Sequence, residues 1–182
     1  VAGEFVAELL KIKKIIAFAN DNKTSIIPRG GGTSLAGQVV GPGIVVDMSK
    51  YMNKILEFNQ DENYVIVEPG VNLAELNLFL SPLGLQFGPE TSTANRCVIG
   101  GMLGNNSCGL HSLVYGSVRE HILEVDAILS DGSETTFKPL TKDEFKAKIN
   151  GNANKLEKAI YENINEILSN PRNQKEIRDN FP

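Results

Sequence analysis

A chain of 182 residues with 41% apolar and 22% charged side chains has the make-up of a globular protein large enough to bury a core. Eighteen basic against twenty-two acidic residues leave a net charge of −4, which excludes a general nucleic-acid binder, since those carry a basic excess. The longest apolar stretches, 15–19 and 43–46, are too short to cross a bilayer and the opening residues do not read as a signal peptide. Two distant cysteines make no disulfide framework, so a reducing, cytoplasmic setting is expected.

Residues 4–20 are predicted to form a helix with Leu9, Ile12, Ile16 and Ala19 along one face. A short strand at 24–27 runs into a Gly-rich loop, and another strand follows at 44–47. Residues 65–68 form a further strand, stopped by Pro69-Gly70. Asn72-Leu73-Ala74-Glu75 has the spacing of a capping box, with Val71 and Leu76 in the hydrophobic-staple positions. That helix should run to about Leu80 and leave through Gly84. Residues 122–129 and 134–138 flank Asp131-Gly132, the strongest hairpin signal in the chain. Beyond residue 140 the composition changes, with Gly151 the only glycine and charges more frequent. Residues 152–168 carry Leu156, Ile160, Ile164, Ile167 and Leu168 at helical spacing, Pro171 breaks the pattern, and 173–180 read as a second short polar helix.

Two loops carry the residue types that bind a cofactor. The first is Pro28-Arg29-Gly30-Gly31-Gly32-Thr33-Ser34-Leu35-Ala36-Gly37-Gln38. Three consecutive glycines let backbone N–H groups converge on one point, and Thr33 and Ser34 add hydroxyls, the chemistry of a phosphate-binding nest. The loop lacks the Gly-Lys-Ser/Thr of a Walker A motif, and Leu35 replaces the third glycine of the dinucleotide fingerprint. The second loop spans 89–116, with Pro89, Glu90, Thr91, Ser92, Thr93, Gly100, Gly101, Gly104, Asn105, Asn106, Ser107, Gly109, Tyr115 and Gly116. Its small residues let a flat ring lie against the backbone while amides and hydroxyls bond the polar edge. So long a polar loop inside a compact domain is itself a sign of a ligand.

Cys97, Cys108, His111 and His121 are four soft ligands, but their spacing is not that of a structural zinc site, and no metal is expected. Cys108 and His111 are expected beside the ligand cleft, Cys97 and His121 in packing. Ser107, His111 and Glu90 formally supply a triad, without the nucleophile elbow that would place it. No catalytic residue is assigned.

These two loops resemble those of the FAD-binding domain of the vanillyl-alcohol oxidase and p-cresol methylhydroxylase superfamily. The branch they resemble holds the glycolate, D-lactate and D-2-hydroxyglutarate dehydrogenases. The family's first loop is unbroken from Pro28 to Gln38. Its second pattern matches Pro89, Glu90, Ser92, Thr93, Ile99, Gly100, Gly101, Asn106, Gly109, His111, Tyr115 and Gly116, with Val98 in a Thr position and Cys108 in a Gly position.

The resemblance implies an α+β FAD-binding domain of the type-2 kind. A small parallel βαβ subdomain would occupy 1–49 and a larger, mostly antiparallel subdomain flanked by helices 50–140. Residues 141–182 would be a helical extension, cut before the substrate domain. It implies non-covalent FAD, with the pyrophosphate on the amides of Gly30 to Ser34 and the remaining contacts from the second loop. It also implies hydride transfer from the Cα of a small 2-hydroxyacid, held by a further domain. The wording of residues 104–112 resembles a subgroup fused to, or partnered with, iron–sulfur domains. The alternatives are a UDP-N-acetylenolpyruvylglucosamine reductase-like flavoenzyme, whose Gly-Ser loop differs, and a nucleotide-binding module without redox chemistry.

Overall fold

The computed structural model describes residues 2–151 and 154–181. The chain falls into two units that meet in sequence at Ile122 and Leu123. Among the described residues the strands form three two-stranded sheets, one parallel and two antiparallel, and the fold class is α+β as expected.

The first unit opens with helix α1, Ala2–Asp21. Ile16 and Ala19 of its apolar face are buried, and Lys23, in a left-handed conformation, turns the chain out of the helix. Strand β1, Ser25–Arg29, pairs in parallel with β2, Gly43–Asp47, each beginning close to its predicted position. Parallel pairing demands a crossover. Here residues 30–42 make it as a loop without a helix, and that crossover is the first glycine-rich motif.

Strands β3, Ile55–Asn59, and β4, Tyr64–Val67, form an antiparallel hairpin. The sequence signals β4 but not β3. The turn between them has neither glycine nor proline, and Asn63 supplies the positive φ instead. Helix α2, Leu73–Leu80, starts where expected. Asn72 Oδ1 accepts from the N–H groups of Ala74 (2.9 Å) and Glu75 (3.3 Å), and Val71 and Leu76 are both buried. The capping box is only half formed. Instead of a returned bond from Glu75, Asn72 Nδ2 donates to the Cys97 carbonyl at 3.1 Å, tying the helix start to the second motif. A 3-10 turn, Ser81–Leu83, follows, and Gly84 in a left-handed conformation ends it as predicted.

Short helices α3, Ile99–Gly104, and α4, Ser112–Tyr115, and a 3-10 turn, Val118–His121, complete the unit. Val71, Leu73, Leu76, Leu80, Cys97, Ile99, Met102 and Val118 form its core, with Phe58, Val65 and Phe87 packed against them. The second motif is therefore anchored on both sides. Its apolar members Cys97, Ile99 and Met102 are core residues, while the small and polar ones between them stay at the surface.

In the second unit, β5, Val125–Ile128, and β6, Glu134–Phe137, form the predicted hairpin. Its turn is closed by Leu129 N–H to Ser133 O at 2.8 Å. Gly132 has φ +82°, and Asp131 accepts from the Ser133 hydroxyl and N–H, which hold its carboxyl below the usual range. Helix α5, Lys142–Asn150, has no counterpart in the sequence analysis, although Thr141 and Glu144 form a complete capping box. Helices α6, Lys155–Ser169, and α7, Pro171–Asn180, follow. Asn154 caps α6; residues 152–153 of its predicted span lie outside the described residues. Pro171 does end α6, and it also serves as the first residue of α7, where its missing N–H costs nothing.

Candidate functional site

The fold brings the two motifs into contact. A Cβ on Gly30 would lie 2.1 Å from Val98 Cγ2, and one on Gly31 would lie 2.0 Å from the Arg96 carbonyl oxygen. These two glycines are glycines because segment 96–98 presses on them. Gly32 is different: it has φ +66°, and the nearest atom to its Cβ position is Arg29 Nη2, the far end of a flexible side chain, at 2.8 Å. Val98, which departs from the resembled pattern, is buried at this junction.

The loop presents donors. Among the described residues, none of the backbone N–H groups of residues 31–36 has an acceptor within the chain. Backbone donors are strong, and six in succession without a partner in the chain, on a loop whose residues are exposed or half-buried, are groups that an anion can bond. A second such run covers residues 90–93, whose N–H groups are likewise unpaired while Thr91 O and Thr93 O accept from Ala94, Arg96 and Cys97. Gly101 and Gly104 add a stretch of α3 where a Cβ would meet almost nothing.

Other predicted residues serve as framework. Pro28 and Arg29 end β1, and Arg29 pairs in register with Asp47. The Asp47 carboxyl is held below its usual range by the Ser49 hydroxyl and N–H, with Arg29 adding to the effect. Gln38 is exposed. Pro89 is fully buried, and Gly100 packs on Pro69, whose carbonyl accepts its N–H at 2.8 Å. Thr91 shares its hydroxyl with Thr93 (3.2 Å) and Cys97 Sγ (3.3 Å), whereas Ser92 is exposed. Asn105 caps α3. Asn106, with φ +45°, accepts on Oδ1 from Arg119 N–H at 2.9 Å.

Gly109 sits against the Glu90 carbonyl, and the Tyr115 ring covers Gly88. Tyr115 OH accepts from Gln86 Nε2 at 2.9 Å, and its carbonyl contacts His121 Nε2 at 2.6 Å. Gly116, φ +68°, makes room for Glu120, whose carboxylate accepts from Ser117 N–H at 2.5 Å. Glu90 is paired with His111 Nδ1. Thus the polar atoms of Asn106, Tyr115 and Glu90, expected at a cofactor, are engaged within the chain.

Of the soft ligands, Cys97 is buried against Met102 Sδ and Cys108 is exposed. No group of three or more metal-ligating side chains occurs among the described residues. Nor does any described helix have the length and apolarity to cross a membrane. Arg96, Val98 and Asn72 join the motifs, a role the sequence does not announce: Arg96 left no signal, Val98 stood out only as a departure from the resembled pattern, and Asn72 only as a helix cap.

A pair of glycine-lined loops with unpaired donors, set on an α+β body, defines a binding domain for a phosphate-bearing cofactor. The chain belongs to the FAD binding domain family, whose model matches residues 5–138. It is 40% identical over 177 residues to D-2-hydroxyglutarate dehydrogenase of Escherichia coli, covering 97% of this chain and 17% of that protein. It is 33% identical to D-lactate dehydrogenase [cytochrome] 1, mitochondrial, of Saccharomyces cerevisiae, over 68% of this chain and 21% of that one. Glycolate oxidase subunit GlcD of Bacillus subtilis is 32% identical over 67% of this chain and 26% of its own length. The chain thus spans about a fifth of the curated relatives it matches.

Among solved structures, BBE-like 1 of Physcomitrella patens superposes with a TM-score of 0.63 at 25% identity, over 71% of this chain and 28% of that one. Alkyldihydroxyacetonephosphate synthase gives 0.60 at 23%, over 71% and 26%. The residues present fit FAD. Its pyrophosphate needs backbone donors and its ring small, uncovered residues; residues 31–36 and 90–93 supply unpaired N–H groups, and Gly101 and Gly104 supply uncovered backbone.

Proposed function

We propose that this chain is the FAD-binding part of a flavin-dependent D-2-hydroxyacid dehydrogenase. The observation that carries the reading is the pair of unpaired donor runs, 31–36 and 90–93, joined through segment 96–98. In this reading the amides of Gly30 to Ser34 hold the pyrophosphate, with Arg29 beside them. Residues 89–93 and 100–109 face the ring and ribityl chain, and Asn106, Tyr115 and Gly116 hold that loop in shape. FAD, when bound, accepts the hydride from the substrate Cα; the protein positions it and tunes it.

The boundaries 1–49, 50–140 and 141–182 for two cofactor subdomains and a helical extension are part of the proposal. So are a 2-hydroxyacid held by a further domain, an iron–sulfur domain or subunit as electron acceptor, and a cytoplasmic location. The names of the relatives support the substrate class.

Oxidation of a 2-hydroxyacid needs a base at the hydroxyl and a cation or metal at the carboxylate. Arg29 stands at the proposed pyrophosphate loop, and among the described residues His111 is ion-paired with Glu90 alone and with no cation to clamp a carboxylate. We therefore expect the 182 residues, loaded with FAD and freed of excess by desalting, to keep the yellow colour but not to reduce a dye with D-lactate, glycolate or D-2-hydroxyglutarate. A chain extended to the length of the relatives should do so with at least one of the three. Reduction by the 182 residues alone would place the substrate machinery inside them, and an extended chain inert toward all three would refute the substrate class.

The flavin is expected to be held without a covalent bond. In superfamily members with the corresponding linkage the first loop resembles R-x-G-G-H-S, with the histidine attached to the ring. Here that position is Thr33, which cannot form it. Acid precipitation should release all the yellow colour to the supernatant; colour kept in the pellet would point to Cys108, which is exposed.

A further inference from the structure

His111 and Glu90 lie 21 positions apart within the second motif, and the structure joins them: His111 Nδ1 contacts Glu90 Oε2. The pairing is built into the backbone. Gly109 rests on the Glu90 carbonyl, where a Cβ would come within 1.8 Å. Ser112 Oγ accepts the Gly109 N–H at 2.8 Å and fixes the turn that carries His111. The Tyr115 ring stands edge-on to the imidazole at 6.4 Å, and Gln86 donates to the Tyr115 hydroxyl. The imidazole is thus held from both sides. Yet its side chain is 61% exposed, and among the described residues Nε2 has no hydrogen-bond partner.

A carboxylate on one imidazole nitrogen fixes the ring's orientation and leaves the other nitrogen to a ligand, as around many metal and catalytic histidines. Here the carboxylate belongs to the residue that begins the second donor run, so the ring is anchored through Nδ1 at that motif while Nε2 stays open. An exposed pair of this kind contributes little to stability. Its fixed geometry is better explained by what it presents.

We propose that His111 is a cofactor-contacting residue whose Nε2 hydrogen bonds to the polar edge of the bound flavin, and that Glu90 is the positioning residue that aims it. The proposal rests on the flavin site described above, and it assigns Glu90 to His111 rather than to the flavin. His111→Ala should weaken FAD binding about tenfold, the loss of one hydrogen bond to a charged or polarised group. It should also shift the visible flavin band and the midpoint potential. Glu90→Gln should act in the same direction with a smaller effect, because a swivelling imidazole still reaches the site part of the time. His111→Gln keeps an N–H donor and should recover affinity to within about threefold while the potential stays displaced.

The measurements are flavin-fluorescence titration, visible spectra and dye-equilibrated potentials on the FAD-loaded chain, with circular dichroism to confirm folding. Both residues are exposed, so the variants should fold. Unchanged affinity, spectrum and potential in His111→Ala, with Gly32→Ala still losing flavin, would overturn the assignment and leave the flavin site standing. Wild-type chain that takes up no FAD would overturn both.

Discussion

Gly31→Ala is expected to abolish FAD retention through purification and to lower the melting temperature, whereas Gly32→Ala should lose affinity but keep the fold. The two neighbours differ in what a methyl group meets. At Gly31 it lies 2.0 Å from the Arg96 carbonyl oxygen and 2.9 Å from its carbon. Both are backbone atoms, in a segment fixed by the bonds of Arg96 and Cys97 N–H to Thr93 O at 2.8 Å. No change of rotamer relieves a clash with backbone atoms, so the first motif must lift off the second. Overpacking of this kind costs roughly 1–3 kcal/mol, and here it separates the two donor runs that a single cofactor would bridge.

At Gly32 the close atom is the Arg29 guanidinium, which can move. The remaining cost is a left-handed φ of +66° for a residue with a Cβ, about 1–2 kcal/mol. That strain tends to twist the N–H groups of 31–36 out of convergence, and a loss of affinity of roughly ten- to thirtyfold is expected. Titration with FAD beside thermal unfolding checks the pair. Equal melting temperatures for the two variants would show that Gly31 is not held by packing. Wild-type flavin affinity in Gly32→Ala would show that the convergent amides are not the binding feature.

This contrast explains how the sequence could reveal the site while misplacing the reason for part of it. Three adjacent glycines announce close approach, and one chain cannot say whether a ligand or the protein does the approaching. Gly30 and Gly31 are met by Val98 and Arg96, sixty-odd positions away, a contact that no local pattern encodes. Val98 is a departure from the resembled pattern and becomes intelligible only at that junction. Elements with local chemistry were legible: the Asn72 cap, the Val71–Leu76 staple and the Asp131-Gly132 turn are where their residues place them. Strand β3 was missed because Asn63, rather than glycine, carries the positive φ of its turn. Helix α5 was missed although the Thr141–Glu144 capping box stood in plain sequence; its few apolar residues gave the 3.6-residue period too little weight. The Glu90–His111 pair could be guessed only as a formal combination, because its partners meet through the Gly109 backbone.

The second unit has its own polar centre, and removing half of it should have the largest effect there. Glu157 is 5% exposed and accepts from Lys148 Nζ at 2.7 Å, joining α5 to α6. Lys148 also lies over the Tyr161 ring at 6.0 Å, and Tyr161 packs against Phe137 of the hairpin and Phe145 of α5. The bond from Lys148 holds the Glu157 carboxyl below its usual range against the opposing effect of burial, and the same bond raises Lys148. A carboxyl lowered on folding contributes stability above its unfolded value and loses it as the pH falls through the folded one. A raised lysine contributes below its unfolded value and loses that as the pH rises through the folded one. The pair therefore supports the unit fully from about pH 5 to 10, and weakens as the pH falls below the usual carboxylate range or rises above the usual lysine range.

Lys148→Met would leave a buried carboxylate without its cation. A fully buried pair broken in this way costs about 3–5 kcal/mol. Lys148 keeps a side-chain exposure of 35%, so about 2–3 kcal/mol is expected here. The double variant Lys148→Met, Glu157→Leu should regain most of it, since an apolar pair of similar volume removes the desolvation penalty with the charge. Amide hydrogen exchange across α5 and α6 at neutral pH and at about pH 3 measures both effects. Protection should fall in the single variant and return in the double, whose acid sensitivity should be weaker than that of the wild type. Equal protection in the single and double variants would mean that the buried charge is not what Lys148 offsets, and that α5 and α6 are held by the aromatic contacts of Tyr161 alone.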